Sequence, residues 1–120
     1  MNFVHLNVHG KASMLYGSAD ISELIQRTKK IGQSAIALTD YSNIFNAINF
    51  YREASAAGIK PIVGVDLCFC EDAAQYKEQH MRSFSRIVLL AENDIGFKNI
   101  ARLVSISNSE EYYYYNPRVD

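Results

Sequence analysis

An imidazole and two carboxylates stand at or near the ends of three strand-like stretches. His9 follows residues 3–8, Asp40 follows residues 35–38, and Asp66 falls within residues 62–69. His, Asp and Glu side chains that converge on one point hold Zn²⁺, Mn²⁺ or Fe²⁺, and the ion activates a bound water for hydrolysis. Alternation along a strand puts Phe3, His5, Asn7 and His9 on one face and Val4, Leu6 and Val8 on the other. A strand with one such polar side suits a barrel-like interior better than a solvent-exposed edge. The same residues also serve strand ends in a plainer way, because Asp commonly satisfies the backbone of the turns there. Spacing alone leaves both readings open.

The elements that must position these residues follow from periodicity. Residues 3–8 alternate apolar and polar and predict a first strand, and 10–17 predict a loop. Asp20 with Glu23 forms a capping-box signature for a helix carrying Ile21, Leu24, Ile25, Thr28 and Ile31, with Gly32 at its C-terminal end. The short apolar run 35–38 predicts a strand covered on both faces. Ile44, Ala47, Ile48, Tyr51 and Ala54 predict a second helix closed by Gly58. Pro61 opens a third strand continuing through 62–69. Residues 71–85 read as an excursion loop, 86–91 as a fourth strand. Asn93 or Asp94 caps a third helix with Phe97, Ile100, Leu103 and Val104 on its buried side. The order is β-α-β-α-β-loop-β-α, an α/β arrangement with right-handed crossovers and a mainly parallel sheet. In such sheets chemistry collects beyond the carboxyl ends of the strands, where His9 and Asp40 stand and which Asp66 approaches.

The 120 residues carry 12 Lys+Arg against 13 Asp+Glu, a net charge of −1, which excludes nucleic-acid or membrane binding by bulk positive charge. The longest apolar stretch, 87–91, falls far short of the roughly 20 residues of a membrane span, and the first residues lack a signal-peptide pattern. Cys68 and Cys70 stand two apart on a strand and suit neither a disulfide nor a zinc finger, so free thiols are expected. A soluble cytoplasmic protein is the expectation, with one domain or a piece of one.

Four segments then resemble one family. His5-Leu6-Asn7-Val8-His9-Gly10, followed by Ser13 and Gly17, is similar to the opening motif of the polymerase and histidinol phosphatase (PHP) domain. Leu38-Thr39-Asp40-Tyr41-Ser42-Asn43 resembles its Leu-Thr-Asp-His-Gly-Asn element, and Gly58–Asp66 resembles the segment that carries its glutamate. Ile87–Asn93, Gly96, Asn99 and the closing Tyr-Tyr-Asn-Pro-Arg-Val-Asp resemble the branch found at the amino terminus of bacterial family C replicative polymerases, the DNA polymerase III alpha subunits. The resemblance runs from Phe3 to Asp120. It implies that residues 1–120 are the N-terminal portion of a PHP domain, about half of a distorted β/α barrel. It further implies that the polymerase active site lies beyond Asp120, that no residue here is catalytic, and that DNA is met only through the parent polymerase. The implied partners are the rest of the alpha subunit and a proofreading subunit. No membrane partner is expected.

Departures from the family pattern fall on its metal ligands. His9, Asp40 and Asp66 remain as vestigial positions, Asp66 being one methylene shorter than the family's glutamate. Asn7 replaces the first histidine of the motif, Tyr16 an aspartate, Tyr41 the histidine after Thr-Asp, and Arg86 a histidine before the fourth strand. A neutral carboxamide is a weak ligand, tyrosine would ligate only after losing its proton, and arginine keeps a permanent positive charge that repels metal. The substitutions imply a degenerate site without cofactor, with Arg86 paired to Asp40 or Asp66, and a scaffold role in DNA replication. The alternative is a residual phosphoesterase or 3′–5′ exonuclease of the complete domain, using Zn, Mn or Fe. The tyrosine run 112–115 is expected to pack rather than to stack bases. An open barrel exposes a strand edge, so self-association is expected.

Overall fold

The computed structural model describes residues 3–120; Met1 and Asn2 lie outside it. Residues 3–9 run extended beside the first strand. A bridge at His5–Ile36 and bonds from the amides of Ala37 and Thr39 to the carbonyls of His5 and Val8 (2.9 and 2.8 Å) hold them. The expected strand there is reduced to this bridge, because the Val8 amide donates to the Thr39 hydroxyl (3.0 Å) instead of continuing a ladder.

Helix α1 spans Ile21–Lys30, strand β1 Ala35–Leu38, helix α2 Ala47–Ala56 and strand β2 Lys60–Phe69. Asp20 occupies the N-cap position of α1 but its side chain makes no capping bond; it pairs with Lys11 instead. Gly32 has φ +74°, the left-handed geometry that ends the helix cheaply with glycine. Ile21, Ile25, Ile36, Leu38, Phe50, Ala54 and Ile59 form one core between α1, α2 and the β1/β2 pair. Each large side chain there contributes about 1.5–3 kcal/mol by leaving water. On α2 the inner face is Ala47, Phe50 and Ala54, whereas Ile48 and Tyr51, expected inside from spacing, are exposed.

The chain continues with helix α3 (Ala73–Glu78), strand β3 (Ser85–Leu90), helix α4 (Asp94–Ser107) and strand β4 (Arg118–Val119). Helix α3 lies in the stretch expected to be loop. Its six residues are too few to display an apolar period, but Asp72 caps it by accepting from the Gln75 amide (2.8 Å). Asn93 caps α4 in the same way.

Strand β2 is the spine. One edge pairs in parallel with β1 (Ala35↔Lys60 to Leu38↔Val63), then with Tyr41 at Asp66, then with β4 (Cys68↔Arg118, Phe69↔Val119). Its other edge pairs with β3 in antiparallel register, Gly64↔Leu90 through Phe69↔Ser85. The sheet is mainly parallel, and β3 is the antiparallel exception. Residues 70–84 make a side excursion rather than a helical crossover over the sheet, so the chain re-enters beside β2 from the same end. Val65, Leu67, Ile100 and Val119, with Leu89 and Leu103, form the second core under α4. No described helix is long and apolar enough to cross a membrane.

The tyrosine run packs the excursion in place. Tyr114 Oη lies 3.3 Å from His80 Nδ1, and the Arg82 guanidinium stacks 3.6 Å over the Tyr115 ring. Arg118, wholly buried, donates to the carbonyls of Met81 (2.9 Å) and Ala73 (3.5 Å).

Candidate functional site: a polar and aromatic cluster at the rim of the sheet

Asp40 leaves the end of β1 pointing inward and is buried. Its Oδ1 accepts from the Gly10 amide and from the Ser13 hydroxyl, both at 2.7 Å. Ser13 Oγ in turn accepts from the Tyr41 amide (3.0 Å). The carboxylate therefore ties loop 10–17 to the strand end. That loop closes on itself: the Ser13 amide donates to the Gly10 carbonyl (3.0 Å) and the Gly17 amide to the Ser13 carbonyl (2.9 Å). A Cβ at Gly17 would stand 2.2 Å from the Gly10 carbonyl oxygen, so only glycine fits.

Asp66 projects from the middle of β2 with its side chain 5% exposed. Its amide donates to the Asp40 carbonyl (3.1 Å) and its carbonyl accepts from the Ser42 amide (2.8 Å). These bonds, with Ser42 at φ +54°, bring Tyr41 alongside. Oδ2 of Asp66 accepts from His9 Nε2 at 3.2 Å. Oδ1 faces Arg86 Nη1 at 3.6 Å, an ion-pair distance too long for a hydrogen bond, and has no hydrogen-bond partner.

The rings stack around this carboxylate. His9 and Tyr41 lie nearly parallel with centroids 3.9 Å apart, and the Arg86 guanidinium sits 4.1 Å over the Tyr41 ring. Tyr16 meets Tyr41 edge-on at 5.1 Å, and Phe84 lies 5.5 Å from Arg86. Asn7 stands beside the cluster rather than in it, accepting from the Thr39 hydroxyl at 2.8 Å. Among the described residues no three His, Cys, Asp or Glu side chains are placed to hold one metal ion.

The structure thus brings His9, Asp66, Tyr41, Tyr16 and Arg86 together and keeps Asp40 on its own hydrogen bonds. Phe84 beside Arg86, the Thr39 hydroxyl that holds Asn7 and the Gly10 amide that holds Asp40 complete the surroundings without having been singled out from sequence. Thr39 alone carried a signal, as the neighbour of Asp40 in the Thr-Asp pair. Beside the cluster opens a cleft of about 630 Å³ whose lining includes Tyr16, Tyr41, Phe45, Phe84, Arg86 and Pro117. Cys68 and Cys70 are buried and free, and burial pushes both thiols upward, away from the thiolate a metal would need.

Comparison with known proteins gives the family and the fold. The chain is 45% identical to DNA polymerase III subunit alpha of Borreliella burgdorferi over 98% of its own length and 10% of the relative's. It is 38% identical to the same subunit of Treponema pallidum, over 100% and 10%. The chain therefore spans about a tenth of the length of these relatives. Among solved structures it resembles an amidohydrolase from Chromobacterium violaceum (TM-score 0.54, 17% identity, 83% of this chain and 32% of that one). A protein described as a metal-dependent phosphoesterase, from Bifidobacterium adolescentis, gives a TM-score of 0.53 at 12% identity with the same coverage. Both likenesses concern the fold. The PHP domain model matches residues 5–120, from the segment that delivers His9 to the strand that closes the sheet, and the chain belongs to the PHP domain family.

Proposed function

We propose that the chain is a structural PHP module of a replicative DNA polymerase alpha subunit, its metal-binding positions refilled by protein side chains. The observation that carries this reading is the Asp66 carboxylate, held between His9 and the Arg86 guanidinium. A divalent cation neutralises such carboxylates; here a fixed guanidinium lies within Coulombic reach and an imidazole donates the hydrogen bond. Asp40 is committed to two donors of its own chain, His9 is stacked and bonded, and Tyr41 fills the space between His9 and Arg86. The donor set does not fit a Zn²⁺, Mn²⁺ or Fe²⁺ centre. What the cluster does is mechanical: it ties residues 7–17, the end of β1, β2 and β3 into one rigid rim. In this reading the rest of the alpha subunit is the partner, a proofreading subunit docks on the same body, and DNA is met only through the polymerase.

A second reading, residual metal-dependent phosphoesterase or exonuclease activity, is favoured by one atom. Asp66 Oδ1 is buried without a hydrogen bond, as a cation ligand would be. Elemental analysis of the purified protein after incubation with excess Zn²⁺, Mn²⁺ and Fe²⁺ separates the two. The structural reading expects less than about 0.1 equivalent of any metal. A stoichiometric ion that is lost in His9→Ala would overturn it and call for phosphoesterase assays.

A further inference from the structure

Residues 70–84 leave the sheet at the end of β2 and return at the start of β3. Their packing is thin: between Glu71 and Phe84 only Ala73 is fully buried. A cleft of about 230 Å³, lined in part by Cys70, Tyr76 and Phe84, lies between this stretch and the strand ends. Apart from bonds within the stretch, every hydrogen bond it makes among the described residues goes to residues 110–120. The Cys70 amide donates to the Val119 carbonyl (2.9 Å) and the Ala73 amide to Asp120 Oδ2 (3.0 Å). Lys77 Nζ donates to the Glu110 carbonyl, Tyr114 meets His80, and Arg118 donates to the Ala73 and Met81 carbonyls. The Arg82 guanidinium over the Tyr115 ring completes the latch.

Both halves of that latch are strained. His80 (φ +56°) and Tyr115 (φ +59°) stand in the left-handed region, which residues other than glycine occupy at an energetic cost. The buried Nε of Arg118 has no acceptor. The closed position thus hangs on one segment, stores strain and an unmet hydrogen bond, and has little apolar burial to hold it. We propose that residues 71–84 are a strap that opens from the end of the sheet as one unit, unlatching from the tyrosine run, and that the open state uncovers the Cys70 thiol. Opening frees His80 and Tyr115 to relax and gives Arg118 Nε water. The sheet stays whole, because no pairing of β2 with β3 or β4 falls within 71–84. Cys70, 4% exposed in the closed state, lines the cleft beneath the strap beside Tyr76.

Thiol labelling of the 120-residue chain with a dipyridyl disulfide, read beside amide hydrogen exchange, tests the strap. Cys68→Ala leaves Cys70 as the sole thiol. Its labelling rate should be nearly indifferent to urea well below the unfolding midpoint, because a local opening exposes little surface. Amides of 73–83 should exchange at least about a hundredfold faster, relative to their intrinsic rates, than those of Val65 and Leu67 in the second core. Tyr114→Phe and Arg82→Ala each remove one latch contact and should speed labelling about two- to fivefold, with exchange at Val65 and Leu67 unchanged. Labelling that climbs with urea in step with Val65 exchange would mean that Cys70 is reached only by global unfolding. A rate indifferent to both substitutions would mean that the reagent enters through the cleft while the strap stays shut. Either result would overturn the proposal.

Discussion

Removing the Arg86 guanidinium tests the central claim about the cluster. Arg86→Met keeps much of the side-chain length but leaves the Asp66 carboxylate, 5% exposed, with His9 as its remaining side-chain partner among the described residues. Breaking a buried ion pair on one side costs about 3–5 kcal/mol, and an exposed pair about 0–1. This pair lies between: one partner is buried, the other is 36% exposed, and the 3.6 Å separation is not a hydrogen bond. Screening by solvent on the arginine side cuts the Coulombic share to about 1 kcal/mol, and loss of the guanidinium over Tyr41 adds roughly 0.5–1 kcal/mol. The expected destabilisation is about 1.5–2 kcal/mol, a drop in melting temperature of roughly 6–8 °C for a domain of this size. Urea denaturation should show a lower midpoint with an unchanged slope. The decisive assay is the double-mutant cycle with Asp66→Asn, in which about 1 kcal/mol should appear as coupling. A coupling below about 0.3 kcal/mol would mean that the guanidinium and the carboxylate are merely neighbours, and the charge-replacement argument would be wrong.

Other perturbations address the parts of the fold that hold the cluster. Ser13→Ala removes one of two donors to the Asp40 carboxylate and should cost about 1.5–3 kcal/mol in chemical denaturation, with amide exchange rising first in residues 10–17. Gly17→Ala drives a Cβ into the Gly10 carbonyl and should cost roughly 2–4 kcal/mol; a wild-type melting temperature would show that the loop is looser than its hydrogen bonds indicate. Arg118→Met leaves the Met81 and Ala73 carbonyls without their donor, so hydrogen exchange should accelerate in 72–81 while β1 and α1 keep their protection. Burial raises the Cys68 thiol, so the folded state holds its proton longer than the unfolded chain does. Its contribution to stability is therefore full below the ordinary thiol range and is lost as pH climbs from there toward the raised value, a loss that Cys68→Ala should flatten in alkaline unfolding curves.

Much of the frame was legible because its signals are local. The capping position of Asp20, the apolar run 35–38 and the C-terminal glycine at 32 each state an element within a few residues. Besides the short α3, three features were not, and each of these depends on partners distant in sequence. The strand expected over 3–8 frays because a side chain of Thr39, far along the chain, takes the Val8 amide. The direction of β3 depends on where residues 70–84 return the chain, which no periodicity encodes. On α2, Ile48 and Tyr51 satisfy helical spacing as well as Phe50 does, and the sheet beneath decides which residue is covered.

The cluster divides along the same line. His9, Asp40, Asp66 and Arg86 stand out in the sequence because their types are unusual at strand ends, but nothing local says that one carboxylate is shared and the other is not. Asp40 and Asp66 have the same chemistry, and they separate only through geometry. Asp40 reaches back to a loop amide and a hydroxyl, both neutral, whereas Asp66 lies on β2 opposite Val88 of β3 and within reach of a cation. Of the four substituted positions, two act as a unit: Tyr41 has the flat face on which both His9 and Arg86 stack, so a guanidinium at 86 without an aromatic ring at 41 would have one less surface to hold it over Asp66. The two side chains explain each other physically, the ring at 41 seating the guanidinium that faces Asp66.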